Sequence, residues 1–154
     1  LHGLWPQYNR GYPSFCSNER MPSSLAAQYP NLYPSSKLYS YEWEKHGTCS
    51  GLSPQEYLEA SARVKSSVTI PETYRNMPQP LRTTPADIKA NFLKANDGMR
   101  EWSLAVFCSG SGRYLTEVWV CVGLDEALTS CSSEIRSRET SSCQRSNVTV
   151  RNMR

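Results

Sequence analysis

Two helix-start patterns and one hairpin stand out in the alternation of apolar and polar positions along the chain. Ser53-Pro54-Gln55-Glu56 combines an N-cap serine, a proline in the first turn and a capping-box glutamate. The helix it opens is predicted to run to about Ser66, burying Tyr57, Leu58, Val64 and Val68. Thr84-Pro85-Ala86-Asp87 repeats that logic and opens a helix through Ile88, Phe92 and Leu93, which Asn96-Asp97-Gly98 ends. Upstream, residues 1–40 are rich in Pro, Tyr, Ser and Asn and read as loops, with a short helix near Ser24–Gln28. A further helix is predicted from Tyr41 to His46, stopped by Gly47. The character then changes. Trp102–Cys108 and Tyr114–Val122 are rich in β-branched and aromatic residues and flank Ser109-Gly110-Ser111-Gly112-Arg113, which predicts a hairpin. In the polar tail from Ser132 onward, Val148–Val150 is a short strand candidate. Helices precede strands without a βαβ rhythm, so the fold class is α+β, with no internal repeat and no second domain.

Composition narrows this picture. The 154 residues suit a single domain over 1–154, and 20% charged with 38% hydrophobic residues describes a soluble globular protein. The formal charge of +3 is spread along the chain, which is compatible with a polyanionic partner without requiring one. No apolar run approaches the length that spans a bilayer, so no membrane partner is expected. Cys16, Cys49, Cys108, Cys121, Cys131 and Cys143 form an even set without CxxC spacing. That favours disulfides over a zinc site and implies an oxidising compartment, although six cysteines allow 15 pairings. Asn147-Val148-Thr149 is a glycosylation sequon, in keeping with secretion.

The chemistry gathers at the two histidines, each followed by glycine: Leu1-His2-Gly3-Leu4-Trp5-Pro6 and Glu42-Trp43-Glu44-Lys45-His46-Gly47-Thr48-Cys49. Residues three and four apart share a helix face, so Glu42, Lys45 and His46 offer a carboxylate, an ammonium and an imidazole on one patch. The helix C-terminus and the carboxylate favour a charged imidazole and Lys45 opposes it, leaving the net direction open. The bland alternative is a solvated face with an i,i+3 ion pair. Composition and spacing alone do not join His2 to this patch.

Both segments, in this order and separation, resemble the two active-site segments of the ribonuclease T2 family. The similarity continues through the helix after the second segment and the hairpin with Tyr114-Leu115-Thr116-Glu117-Val118, and weakens after about residue 125. It implies an α+β fold with a central antiparallel sheet packed with helices and stabilised by disulfides. It also implies a cofactor- and metal-independent endoribonuclease that cleaves single-stranded RNA to 2′,3′-cyclic phosphate ends with low base specificity. On that basis His46 is the base, His2 the acid, Lys45 with Glu42 stabilises the transition state, and Trp5 stacks on a base. The resemblance pairs Cys16 with Cys49, Cys108 with Cys143 and Cys121 with Cys131. It places the protein outside the cell or in a vacuolar or lysosomal compartment, with no obligate protein partner.

Three positions depart from the family pattern. Tyr41 stands where many relatives carry a phosphate-binding histidine; a phenol still donates a hydrogen bond but brings no positive charge. Gln7 stands where relatives often have an aspartate that reads the first base, so adenine preference is not carried over. Relatives also carry a few dozen residues, including a core strand, before the first segment, whereas His2 is penultimate here. The preferred reading of the early start is that this sequence lacks the family's N-terminal strand region. The alternative, which the missing N-terminus and Tyr41 favour, is a catalytically silent relative with a recognition, storage or defence role.

Overall fold

The computed structural model describes residues 1–152, which divide into two compact units, 1–68 and 69–152. In the first unit, α1 (Ser23–Ala26), α2 (Ser36–Lys45) and α3 (Pro54–Ser67) enclose an aromatic-rich core. Met21, Leu32, Tyr33, Tyr39, Trp43, Tyr57 and Leu58 form it. Tyr33 meets Tyr39 edge-on at 4.9 Å, and Trp43 meets Tyr57 at 5.6 Å. These are the offset geometries that the ring quadrupoles favour.

The start of α3 has the expected cap: Glu56 N–H donates to Ser53 Oγ at 3.3 Å, and Ser53 N–H donates to Glu56 Oε2 at 2.8 Å. Tyr57, Leu58 and Val64 are buried, but Val68 has left the helix and is only half-buried. Helix α2 begins five residues earlier than Tyr41, and its end runs into a 3₁₀ turn over Gly47–Cys49. Gly47 is required there, because a Cβ would collide with the Trp43 ring.

Residues 1–20 have no regular secondary structure, so side chains and isolated backbone bonds must hold them. The Cys16–Cys49 disulfide joins this stretch to the end of the 3₁₀ turn. Around it, Phe15 N–H donates to Lys45 O at 3.0 Å, Cys16 N–H to Thr48 Oγ1 at 3.1 Å, and the Trp43 indole to Glu19 O at 2.9 Å.

The second unit holds β1 (Leu81–Thr83), α4 (Pro85–Ala95), β2 (Leu104–Ser109), β3 (Tyr114–Val120), α5 (Ser133–Ser142) and β4 (Val148–Val150). Thr84 caps α4 by accepting from Asp87 N–H at 3.0 Å, and Ile88 and Phe92 are buried while Leu93 is half-buried. Trp102 lies in a 3₁₀ turn over Glu101–Ser103 instead of in β2, and Val122 lies beyond β3 in an isolated bridge to Leu128. Among the described residues the sheet has the order β1-β4-β3-β2. Its β1–β4 and β2–β3 pairs are antiparallel, as expected, and its β3–β4 contact, Tyr114 against Thr149, is parallel. A parallel neighbour needs a crossover, and α5 supplies it.

That helix was not foreseen. It buries only Ile135 and carries almost no apolar stripe. Its polar side chains instead satisfy the outer edge of β2. Val106 N–H donates to Glu139 Oε1 at 2.8 Å, Cys108 N–H donates to Ser142 Oγ at 3.2 Å, and Arg136 donates to Leu104 O. Lys89 from α4 reaches the same Glu139 carboxylate at 2.8 Å. Cys108–Cys143 ties α5 to this edge, Cys121–Cys131 closes the loop after β3, and all six cysteines are paired.

Removing Glu139 leaves a strand N–H without its acceptor and a largely buried ammonium with only the more distant Glu101 carboxylate, 4.0 Å away. Glu139→Ala is expected to lower stability by about 2–3 kcal/mol in urea unfolding, and Glu139→Gln by clearly less, since its amide oxygen still accepts from Val106.

Candidate active site

The site is built on the last turn of α2. Glu42 and His46 lie four residues apart on its inner face and are 3% and 4% exposed, and the His46 N–H caps the helix on Glu42 O at 3.0 Å. A buried carboxylate requires donors. The indole of Trp5 provides one, donating to Glu42 Oε2 at 2.6 Å. The same indole stacks on the His46 imidazole, with ring centroids 5.0 Å apart. Trp5 can lie so close because Gly3 leaves room: a Cβ at residue 3 would strike Glu42 Oε2 and the Trp5 indole nitrogen. The buried Tyr57 hydroxyl holds the segment from below by donating to Leu4 O at 2.9 Å, and burial raises its pKa far above the ordinary phenol range.

The structure therefore brings the segment containing His2 onto Glu42 and His46, the juxtaposition that spacing alone did not supply. The side chain of His2 is exposed. Gln7 is exposed too, and its amide donates to Trp5 O at 3.3 Å. Tyr41 lies on the outer side of α2, where Lys45 Nζ donates to its hydroxyl at 3.0 Å and sits 5.3 Å from the ring centroid. That hydrogen bond, more than Glu42, raises the Lys45 pKa; the Tyr41 and Tyr12 phenols and Glu42 add to it and burial opposes it.

Tyr12 was missed in the sequence. Its exposed ring lies 6.0 Å from the His46 ring, tilted by 49°. It sits in a loop with no periodicity, so no pattern marked it. Among the described residues no group of three or more His, Cys, Asp or Glu side chains is gathered to hold a metal ion.

Burial first, and the Lys45 charge second, push the His46 pKa from 6.5 down to about 4. Its Nδ1 is buried and has no hydrogen-bond partner, so a second ring proton would find no acceptor there. The open question of direction is thereby answered: desolvation outweighs the helix terminus and the carboxylate, and His46 is a neutral imidazole in mildly acidic solution. A neutral imidazole, a carboxylate and an ammonium on one short stretch can accept a proton and stabilise a developing anion.

Fold and site together define a disulfide-stapled α+β protein equipped for acid–base chemistry. The chain belongs to the ribonuclease T2 family, a family of RNA-degrading enzymes, whose profile matches residues 1–131. It is 35% identical over 166 residues to a ribonuclease of Aeromonas hydrophila, an alignment that covers 100% of this chain and 72% of that protein. In structure it resembles an RNase-related protein from Calystegia sepium with a TM-score of 0.70 at 21% identity, over 95% of this chain and 78% of that one. It also resembles a mutant of RNase MC1 in complex with 5′-GMP, with a TM-score of 0.68 at 21% identity over 96% and 82%. These structural likenesses establish the α+β fold, and the three disulfides are those the family resemblance implies.

Two measurements check the geometry. Gly3→Ala should displace Trp5 from Glu42, lowering catalytic efficiency at least about tenfold and changing tryptophan emission, with the helices retained by circular dichroism. The unfolded chain takes up a proton at His46 near pH 6.5 and the folded one only near 4. Stability from this group is therefore complete above pH 6.5 and falls as pH drops toward 4, by roughly 3 kcal/mol in all, and a His46→Gln variant should lack that component.

Proposed function

We propose that this chain is a metal-independent endoribonuclease that cleaves single-stranded RNA by internal transesterification. The observation that carries the proposal is the seating of Gly3-Leu4-Trp5 on Glu42 and His46, which joins the two histidine segments into one site. Neutral His46 takes the proton of a ribose 2′-hydroxyl, and the freed oxygen attacks the adjacent phosphorus. The charge that develops on the phosphoryl oxygens is stabilised by the Lys45 ammonium, with Glu42 holding the local electrostatics and the indole in place. As the bond to the 5′-oxygen breaks, His2 gives its proton to that oxygen, leaving a 2′,3′-cyclic phosphate.

Trp5 and the exposed Tyr12 offer aromatic surfaces for bases, and stacking of this kind tolerates several bases. Gln7 and Tyr41 flank the same stretch as polar contacts for substrate. The nucleotide complexes of structural relatives, such as 5′-GMP on the RNase MC1 mutant, are in keeping with this reading. The reaction takes place in an oxidising extracellular or vacuolar compartment that keeps the three disulfides closed. Asn147 is exposed for a glycan, and among the described residues no helix is long and apolar enough to cross a membrane.

One observation favours the silent alternative. The Lys45 ammonium is already engaged by Tyr41, where many relatives carry a histidine. The two readings separate in one experiment. A short single-stranded RNA and its 2′-deoxy counterpart are incubated with the oxidised protein in EDTA, and the products are identified by mass. Cyclic-phosphate ends from the RNA alone, reduced by about 10²–10⁴-fold in His46→Ala, establish the mechanism. An intact RNA establishes the silent form, and cleavage that EDTA abolishes overturns the metal-free step.

A further inference from the structure

We infer that the solvent-facing side of β4 and the start of β3 form a second, non-catalytic binding surface for single-stranded RNA, built from Arg82, Arg113, Arg145 and Arg151 around Tyr114. The choice of RNA as ligand rests on the ribonuclease reading; the surface itself rests on sheet geometry. Thr149 of β4 is the register partner of both Arg82 on β1 and Tyr114 on β3. Directly paired residues project to the same face of a sheet, so Arg82, Thr149 and Tyr114 make one row across three strands. Val148 and Val150 are buried on the opposite face, and the period of two returns Arg151 to the face of Thr149.

The side chains agree with this placement. The Arg151 guanidinium lies 4.6 Å from the Tyr114 ring centroid and that of Arg113 5.9 Å away. Arg145 adds a fourth cation at the hairpin turn, where its Nε donates to Ser111 O at 3.0 Å. Gly112 lets the backbone of residues 144–145 approach this turn, since a Cβ would meet the amide nitrogens of Gln144 and Arg145.

The carboxylates nearest in sequence to Arg82, Arg113 and Arg145 are Asp87, Glu117 and Glu139, which are engaged by Thr84, the Trp119 indole and Val106 N–H. The stretches 78–86, 108–116 and 143–152 contain no Asp or Glu, and among the described residues none of the four arginines is paired with a carboxylate. All four are exposed. A protein of net charge +3 has thus concentrated unpaired guanidinium groups on one patch around an aromatic ring. Planar guanidinium groups fork onto phosphate oxygens, and the ring between them gives a base a stacking surface. An anionic lipid surface would use the charges but has no use for the central ring, and the patch carries no apolar rim to enter a bilayer. Single-stranded nucleic acid uses both.

The test measures binding without cleavage. A fluorescein-labelled 2′-O-methyl RNA of about 20 nucleotides, whose blocked 2′-oxygens cannot attack, is titrated by anisotropy at several salt concentrations. Arg113→Ala/Arg151→Ala should weaken binding about tenfold at low salt and flatten the log–log salt slope by about 1.4, the share of two phosphate contacts to a single strand. Tyr114→Ala should weaken it about fivefold or more. Arg63→Ala/Lys94→Ala, which removes the same charge outside the patch, should change it little. Cleavage of a dinucleotide, too short to span a second surface, should be unchanged in the arginine pair, and its melting temperature should match wild type. Equal weakening by the two double variants, no weakening by either, or binding to phosphatidylserine vesicles in place of RNA would overturn the inference. If the wild type cleaves no RNA yet binds the 2′-O-methyl strand through these arginines, the ribonuclease reading fails and this surface stands. If cleavage is normal and binding is indifferent to them, the reverse holds.

Discussion

A carboxylate removed from water must be met by donors, and the burial of Glu42 imposes that condition on the first unit. Residues 1–20 have no helix or strand to place them, yet the Trp5 indole arrives at Glu42 Oε2 and supplies the buried carboxyl group with a donor. Gly3 clears the path, Tyr57 fixes Leu4 from α3, and Cys16–Cys49 anchors the far end of the segment beside the helix terminus. Each of these contacts is long-range in sequence. Together they convert an irregular stretch into a rigid wall of the site, which is the precision that proton transfer demands.

The second unit solves a different problem with the same economy. Strand β2 ends the sheet and presents an edge of unpaired amides and carbonyls. No further strand among the described residues covers it. Helix α5 lies along that edge and offers Glu139, Ser142 and Arg136 as substitutes for ladder partners, with Cys108–Cys143 preventing their departure. A helix used this way needs polar side chains at the contact, which leaves it almost no apolar stripe.

This explains what could be read in the sequence and what could not. Ser53 and Thr84 announced their helices because a cap is a local bond, satisfied within three residues. The hairpin was legible from β-branched and aromatic density, although Trp102 and Val122 were drawn out of the strands by a 3₁₀ turn and an isolated bridge. Helix α5 was invisible because its partners lie on β2, some thirty-odd residues away in sequence, and amphipathic periodicity records burial against a core only. The strand Leu81–Thr83 is short, follows Pro78-Gln79-Pro80, and exists only through its pairing with β4. In the site, Glu42 and His46 were legible as one helix face, whereas the turn of Lys45 toward Tyr41 on the outer side and the sign of the His46 shift were not. Sequence counts charges and dipoles, and burial decided the outcome.

The two histidines end in opposite surroundings, and this asymmetry bears on which of them is the base. His46 is buried under Trp5 with an unpartnered Nδ1 and a neighbouring ammonium, three features that disfavour a second ring proton. His2 is exposed on the surface. A reaction that begins by accepting one proton and ends by donating another requires one neutral and one charged ring at the same pH. The fold places the two rings in different environments, using the seating of Gly3-Leu4-Trp5 to bury one histidine while leaving the other, a residue away from Gly3, in water. The contact that shelters Glu42 is thus also the one that sets the two imidazoles apart, and it supports His46 as base and His2 as acid in the mechanism proposed here.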